Sequence, residues 1–428
     1  MGNGEATATA VAAGRAGETE ATPDRRLLLF FWSLGLSMLV ALLGLLFDGV
    51  WHTVNPFEEF WSPPHLMIYG GFGVGGTLLL FAIFHPWFRA HAVFGPGVRV
   101  PFLNVPVPAS LFWVGFGSFQ AVLAGLLDSA WHARLGANET AWSYPHMLIV
   151  LGGVLMALGL MSGAQALRAT LGERQRPAWP IVMFGAGLII IFAFPIVPLI
   201  SPAEDLQQRL ANAEFYRLDP QSVKIARAFL ASGIHQGNSL LIPLLVPLAL
   251  VAPLAMARAL APGKRLIATR AALANVAILA GATTGFFLLL KSQPGLVDPN
   301  SPVTDSRFAT TAALGGLVGL VMLALPQDLL PKPLNTTLPG PFKWLADRPG
   351  PAAAALAMAT LHGLRFGFHP LGMAVAPFAG VAGAMIGEKV AKVATEPTPR
   401  RVGWTLLLMT LVLPAAFGVF DIYLRLWF

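Results

Sequence analysis

An acid and two histidines occur twice, in the same order, in the first third of the chain. The first trio is Asp48, His52 and His65, and the second is Asp128, His132 and His146. In each trio the acid and the first histidine are four residues apart, which places them one turn apart on one face of a helix. The second histidine follows a proline, a residue suited to the first turn of a helix. Each trio therefore predicts three side chains that converge from the ends of two neighbouring helices.

Two imidazoles and one carboxylate are the ligands of an open metal site. On ligand chemistry alone, such a site is compatible with copper, non-haem iron or zinc. The chain has no cysteine, so thiolate ligands, disulfides and cysteine-anchored clusters are excluded. A solvated helix cap is an equally good interpretation of any one of these residues alone, but it would have to account for the same trio twice. Because ionisable groups at a membrane are costly and tend to mark function, metal binding is the preferred interpretation.

The similarity between the two phrases extends beyond the trios. The matched residues are Trp51 and Trp131, Glu58 and Glu139, Trp61 and Trp142, Ser62 and Ser143, and Pro64 and Pro145. The tryptophans are typical of an interfacial belt that would form walls around the sites. For Glu58 and Glu139 a solvated loop acid is the preferred interpretation, and a carboxylate that hydrogen-bonds to a ligand histidine is the alternative. With one residue inserted in the second loop, these identities predict two tandem copies of a helical hairpin.

The elements that must position these residues are membrane helices. Of 428 residues, 55% are hydrophobic and 11% charged, and the apolar runs reach the roughly 20 residues that a helix needs to cross a bilayer. Such runs cover 27–47, 66–84 and 110–127, and others begin near His146, Trp179, Asn238, Ala271, Thr310 and Val402. Residues 351–386 would form two short crossings or one helix with a re-entrant turn. The sequence predicts an all-α, polytopic membrane protein with ten or eleven transmembrane helices.

The boundaries of three regions follow from this pattern. Residues 1–26 are rich in Ala, Thr, Gly and Glu, which predicts a disordered cytoplasmic tail without a cleaved signal peptide. Residues 27–170 are predicted to form a four-helix repeat unit that holds both trios. Residues 171–428 are predicted to add further transmembrane helices of unknown role.

The formal charge of +7 would suggest nucleic acid as a partner of a soluble protein. Here the basic residues gather in alternate connections, for example at Arg26, Arg89, Arg168, Lys264 and Lys389, as the positive-inside rule requires of cytoplasmic loops. This pattern predicts a multi-pass protein of the plasma membrane with a cytoplasmic N-terminus and both trios toward the outer side. The lipid bilayer is the expected partner, and no nucleic acid is expected.

Three further histidines are weaker candidates. His235 follows a serine by three residues, as His65 and His146 do, but it lacks the acid and first histidine of a full repeat. His362 and His369 lie between two apolar runs, where they would cap helices, pack in the interior, or line a cavity beside the metal sites. No catalytic acid, base or nucleophile is nominated, because no Ser-His-Asp arrangement, Walker motif or haem-attachment phrase is recognisable.

The two phrases resemble those of one membrane subunit of the copper membrane monooxygenases, the family of particulate methane monooxygenase and ammonia monooxygenase. Asp48, His52 and His65 match the first phrase of that subunit in type and spacing, and Asp128, His132 and His146 match the second in spacing. The family has an asparagine where this chain has Asp128, and the resemblance is confined to about the first 170 residues. It implies that each trio holds copper, with the acid and both histidines as ligands, and that other subunits are partners.

Two functions follow as hypotheses. The first is a monooxygenase or monooxygenase subunit, in which copper activates dioxygen to oxidise a small apolar substrate that arrives through the lipid, alone, as a homo-oligomer or with other subunits. The second is a membrane protein that senses, stores or transports copper or zinc without oxygen chemistry. A transporter should carry polar residues through the depth of the bilayer, and the predicted helix centres are nearly bare of them. A structural protein with relict trios is disfavoured by the repetition of all three ligands.

Overall fold

Long helices make up nearly all of the part of the chain that the computed structural model describes. That part covers residues 25–51, 60–91, 97–99, 106–135, 143–171, 179–192, 340–366 and 370–427, with scattered positions between 220 and 296. The helices are α1 Arg25–Trp51, α2 Pro63–Phe84, α3 Pro86–His91, α4 Ala109–Leu135, α5 Tyr144–Leu171, α6 Trp179–Phe192, α7 Gly340–Asp347, α8 Pro349–Phe366, α9 Pro370–Thr395, α10 Pro399–Leu407 and α11 Leu413–Trp427. Two short strands, β1 Gly97–Arg99 and β2 Pro106–Pro108, pair antiparallel in the connection before α4.

Six of the helices that the structure describes are long and apolar enough to cross a bilayer. Their spans are Arg25–Asp48, Pro63–Phe84, Ala109–Trp131, Tyr144–Arg168, Pro370–Thr395 and Pro399–Val419. The predicted class, an all-α multi-pass membrane protein, is confirmed. The runs that begin near Asn238, Ala271 and Thr310 lie wholly or largely outside the described residues, as does the tail up to residue 24. The total of ten or eleven crossings therefore stays a prediction.

The first four long helices form two antiparallel hairpins, α1 with α2 and α4 with α5, which pack on each other. In both hairpins a glycine six residues after the second histidine lets the two backbones approach closely. A Cβ on Gly71 would lie 2.5 Å from the backbone nitrogen of Ala41, and one on Gly152 would lie 3.2 Å from that of Ala121. Ala41 and Ala121 are matched positions of the two phrases. The two hairpins thus share a packing contact at corresponding residues, as small residues at membrane helix interfaces allow.

Helix α5 lies at the centre of the described bundle. Its apolar window is 94% buried, and it packs against α1, α4, α6, α9 and α11. Leu155, Met156 and Leu160 are fully buried on it, opposite Trp113 of α4. Near its far end the hydroxyl of Ser162 donates a hydrogen bond of 2.8 Å to the carbonyl of Ala394 in α9. A hydrogen bond that satisfies a hydroxyl in an apolar interior fixes α9 against the second hairpin.

The sequence allowed residues 351–386 to form either two short crossings or one helix with a re-entrant turn. In the structure this segment is helical on both sides of residues 367–369. Helix α8 ends at Phe366, and α9 begins at Pro370 and packs against it. Arg348, just before α8, is joined to Glu388 of α9 by an ion pair of 2.7 Å. Two separate helices are therefore present, of which α9 is one of the six candidate spans.

Helices α10 and α11 form one continuous helix, called the last helix below, which has one irregular turn. Helices α10 and α11 are joined by a π-helical segment, Leu408–Val412, in which the backbone N–H of Leu413 donates to the carbonyl of Leu408, five residues back. Pro414 follows directly and has no N–H to donate. In a regular α-helix residues 413 and 414 would donate to the carbonyls of Met409 and Thr410. The π turn leaves these two carbonyls available to other donors.

Candidate metal centres

The first candidate centre joins the end of α1 to the start of α2. Asp48 lies in the last turn of α1, and His65 is the third residue of α2. The Nε2 atom of His65 is 3.3 Å from Oδ1 of Asp48, and the two residues are 5% and 9% exposed. The structure therefore brings together the acid and the second histidine of the first predicted trio, in a site that is almost closed to solvent.

The start of α2 fixes the position of His65. Pro63 and Pro64 occupy the first two helical positions, where a missing N–H costs nothing because the first turn has no intrahelical acceptor. The first backbone hydrogen bond of the helix runs from the N–H of Leu66 to the carbonyl of Ser62 at 3.0 Å. Two consecutive prolines restrict the backbone just before His65, and this fixes the direction in which its imidazole leaves the helix.

The second candidate centre repeats this arrangement between α4 and α5. The Nε2 atom of His146 is 3.3 Å from Oδ2 of Asp128, with side-chain exposures of 17% and 6%. His146 is again the third residue of its helix, and Ser143 precedes that helix as Ser62 precedes α2. The hydroxyl of Ser143 accepts a hydrogen bond of 3.3 Å from the N–H of His146. Matched residues of the two phrases thus form matched pairs in space.

The separation within each pair suits two ligands of one metal ion. The nitrogen and oxygen of each pair are 3.3 Å apart, a separation that a long hydrogen bond between the two groups also gives. Two ligand atoms at about 2.0–2.1 Å from a tetrahedral metal lie about 3.3–3.4 Å from each other. Imidazole nitrogen and carboxylate oxygen are also suitable donors for copper, iron and zinc. The residues of each pair therefore fit a metal ion.

The remaining member of each trio is not described in full. His52 lies outside the described residues, and His132 lies on α4, one turn after Asp128, with its side chain outside the described part. Among the side chains that are described, no group of three His, Asp or Glu residues could hold a metal. The structure thus brings together two of the three donors predicted for each centre, and the place of the third stays a prediction.

The other candidates from the sequence also remain predictions. Glu58, Glu139, His235 and His369 lie outside the described residues. His362 lies on α8, but its side chain is outside the described part.

Apolar side chains form a cluster around Phe47, the residue before Asp48 in α1. Phe47, next to Asp48, packs edge-on against Trp51 at 5.6 Å and against Phe286 at 6.0 Å between ring centroids. Leu46 and Leu290 belong to the same buried cluster. Asp48 itself is only 9% exposed, so a polar or metal partner is needed to offset its burial.

Tyr69 lies between the two hairpins at the level of both pairs. Its ring centroid is 5.7 Å from that of His65, and the ring packs on Gly125 of α4, where an added Cβ would be 2.7 Å from Cε1. Gly125 lies three residues before Asp128. The two centres are therefore at the same end of the four-helix unit.

Two residues near the second pair were not predicted from the sequence. The side-chain amide of Gln120 donates to the carbonyls of Leu148 at 3.0 Å and Met409 at 3.3 Å. The hydroxyl of Tyr144 donates to the carbonyl of Thr410 at 3.0 Å. A polar side chain such as Gln120 inside an apolar span was the available signal, because buried polar groups in membranes need partners. Tyr144 lies directly before the Pro145-His146 pair, in a position where the first phrase has a proline.

The chain matches no protein-family model, no curated protein and no solved structure.

Proposed function

We propose that this protein binds copper at two Asp-His-His sites and acts as a monooxygenase or as a subunit of one. The observation that supports the proposal is the pair of matched geometries: Asp48 with His65 and Asp128 with His146, each at 3.3 Å and each largely buried. In this proposal Asp48, His52 and His65 are ligands of one ion, and Asp128, His132 and His146 are ligands of the other.

Burial argues for ligands over helix caps. A carboxylate that is 4% exposed, as Asp128 is, has lost nearly all its hydration, and this loss is costly without a partner that compensates the charge. A histidine that only hydrogen-bonds to the acid would explain why the two residues of a pair lie together. It would not account for a further histidine four residues after each acid in the sequence.

The choice of copper and of oxygen chemistry comes from the resemblance of the two phrases to those of the copper membrane monooxygenases. Copper held there would supply the activation of dioxygen. The chain's own contribution would be to hold the ligands in sites that are largely closed to water. A small apolar substrate would partition into the lipid around the exposed apolar side chains, among them Leu66 on α2 and Leu126 on α4.

The same resemblance supports other monooxygenase subunits as partners; a homo-oligomer is the alternative. Zinc and iron are the alternative metals, because the donor set accepts them as well.

A metal sensor or storage protein is the second candidate. The low exposure of both pairs, 6% to 17% for the side chains, favours retention of an ion over its rapid passage. Transport of copper or zinc is a weaker form of this candidate, since both pairs lie at one end of the unit.

We also propose that the sites lie toward the outer side of a plasma membrane, with the N-terminus in the cytoplasm. Arg25 and Arg26 begin α1, Arg168 is in the last turn of α5, and Arg400 and Arg401 lie in the first turn of α10. Each of these positions is at the end of its helix opposite to the Asp-His pairs. A basic end away from the sites is what the positive-inside rule requires of this orientation.

The test is metal content by mass spectrometry of the protein purified in detergent. We expect about two copper ions per chain, about one in His65→Ala and in His146→Ala, and none in the double variant. His85→Ala serves as the control, because His85 is exposed at the opposite end of α2, and it should leave the copper content unchanged. A well-folded preparation without metal would refute both metal hypotheses, and zinc or iron in place of copper would favour the second candidate.

A further inference from the structure

The π turn of the last helix creates two backbone acceptors inside a membrane span. The N–H of Leu413 donates to Leu408, and Pro414 has no N–H, so neither residue makes the α-helical bond to Met409 or Thr410. Carbonyls within the hydrocarbon region need donors from protein, because lipid offers none. Such π turns occur often at functional sites.

Side chains of the second hairpin supply the donors. Gln120 of α4 donates to Met409 at 3.3 Å, and Tyr144 of α5 donates to Thr410 at 3.0 Å. One turn beyond Pro414, Gly418 faces the backbone of Tyr144, where an added Cβ would be 3.0 Å from the Cβ of Tyr144. The last helix is therefore fixed to the first turn of α5 by a hydrogen bond and by close packing.

Both donors are tied to the second Asp-His pair. Tyr144 is two residues before His146, in the same helical turn. Gln120 lies on the buried face of α4 that also carries Asp128, and it donates in addition to Leu148 of α5. The helix that bears the acid and the helix that bears the histidine are thus joined to each other and to the last helix.

The first pair has no such support at the matched positions. The residue that corresponds to Gln120 is Val40, which is 42% exposed, and the residue that corresponds to Tyr144 is Pro63. Neither side chain can donate a hydrogen bond. Both copies of the repeat therefore contain the proposed ligands, but only the second copy has hydrogen-bond donors at the positions of Gln120 and Tyr144.

We infer that the last helix is a structural part of the second centre, with Gln120 and Tyr144 as positioning residues that hold Asp128 and His146 in register. The two centres are then unequal: metal binding at the second depends on the π turn at Leu408–Val412, and metal binding at the first does not. The metal-binding part of this inference rests on the proposed function, whereas the positioning part does not.

The experiment first produces two proteins that each keep one of the two centres, and then changes the contacts of the last helix in each. His65→Ala leaves the second centre as the copper site, and His146→Ala leaves the first. Tyr144→Phe, which removes one hydroxyl, and Pro414→Ala, which restores a backbone donor for Thr410, are introduced into each background. Thr77→Val is the matched control, since it removes a hydroxyl of α2 that donates within its own helix, to the carbonyl of Gly73.

Copper affinity by chelator competition and the Cu(II) EPR spectrum are measured for each protein. In the His65→Ala background we expect Tyr144→Phe and Pro414→Ala each to weaken copper binding by about tenfold or more, the effect typical of residues that orient metal ligands, and to shift the EPR spectrum. In the same background Thr77→Val should change neither. In the His146→Ala background Tyr144→Phe and Pro414→Ala should leave copper binding unchanged. Equal effects on both centres, or no effect on either, would overturn the inference.

A second measurement works without metal. Hydrogen exchange of the backbone amides of residues 146–150 should be faster in Tyr144→Phe and Pro414→Ala than in the unmodified chain, while exchange of residues 65–69 should be unchanged. If no protein in the series binds copper, the proposed function fails and the exchange result alone decides whether the last helix positions the pair. Unchanged exchange at residues 146–150 would then refute the positioning role.

Discussion

The imidazole of His146 lies 3.3 Å from the carboxylate of Asp128, although the two residues belong to different helices. His65 and Asp48 are related in the same way at the same distance. In both cases an acid at the end of one membrane helix meets a histidine in the first turn of the next. The connections between these helices are short, with 11 residues between Trp51 and Pro63 and 8 between Leu135 and Tyr144.

Replacing Asp128 by asparagine tests whether the negative charge of this side chain contributes to metal binding. Asn keeps the size of Asp but removes the negative charge, so we expect the second centre to bind Cu(II) more weakly while the protein still folds. The measurement is chelator competition in the His65→Ala background, with thermal unfolding as the check on folding. The matched change Asp48→Asn, made in the His146→Ala background, should weaken the first centre in the same direction. Tighter binding in Asp128→Asn would mean that this carboxylate does not bind the metal.

Removal of metal should lower thermal stability. An ion bound by residues of two helices is bound by the folded state alone, and at 100 times its dissociation constant it stabilises that state by about 2.7 kcal/mol. We therefore expect the unfolding midpoint of the purified protein to fall after treatment with a copper chelator and to recover when copper is returned. The His65→Ala, His146→Ala double variant should not respond to chelation. An equal response in that variant would place the stabilising ion elsewhere.

Two neighbouring glycines of α2 should differ in their tolerance of a methyl group. A Cβ at Gly71 would lie 2.5 Å from the backbone of Ala41, so Gly71→Ala must separate α1 from α2, and overpacking of this kind costs about 1–3 kcal/mol. Gly70 has nothing within 4 Å of its Cβ position, and Gly70→Ala should be neutral or slightly stabilising because alanine is the better helix former. The unfolding midpoint in detergent measures both. A midpoint that is unchanged in Gly71→Ala would contradict the close contact.

Gly125→Ala should disturb the contact between the two hairpins. The added Cβ would be 2.7 Å from the rigid ring of Tyr69, and the ring can yield only by moving relative to His65. We expect a lower unfolding midpoint and faster hydrogen exchange at the start of α2. Gly115→Ala on the same helix is the control, because its Cβ would also lie 2.7 Å from a neighbour, but that neighbour is the flexible end of Leu79. A partial rescue of Gly125→Ala by Tyr69→Leu would identify the ring as the cause.

The pairing of Asp48 with His65 and of Asp128 with His146 could be predicted because it depends on local order. The repeated phrases fix the helix ends, and a hairpin brings those ends together. The hydrogen bonds from Gln120 and Tyr144 to the last helix could not be predicted, because their acceptors lie 289 and 266 residues away in the sequence. Pro414 is visible in the sequence, but a proline inside a membrane helix is compatible with several local backbone adjustments. The sequence alone therefore does not predict the π turn, which is recognised only in the folded structure, where Gln120 and Tyr144 donate to the carbonyls that it leaves free.

The contacts of the last helix also bear on the order in which the protein can be assembled during synthesis. The first hairpin is complete when residue 84 has been made, and Asp48 and His65 can meet from then on. The acceptors for Gln120 and Tyr144 are Met409 and Thr410, which are synthesised about 240 residues after the end of the second hairpin at Leu171. At the 5–20 residues per second typical of translation, about 12–48 seconds pass in which Asp128 and His146 lack the support of the last helix. Under the proposed function the first centre could take up metal before the chain is finished, whereas the second pair acquires its contacts with the last helix only after the chain has been extended through Gly418.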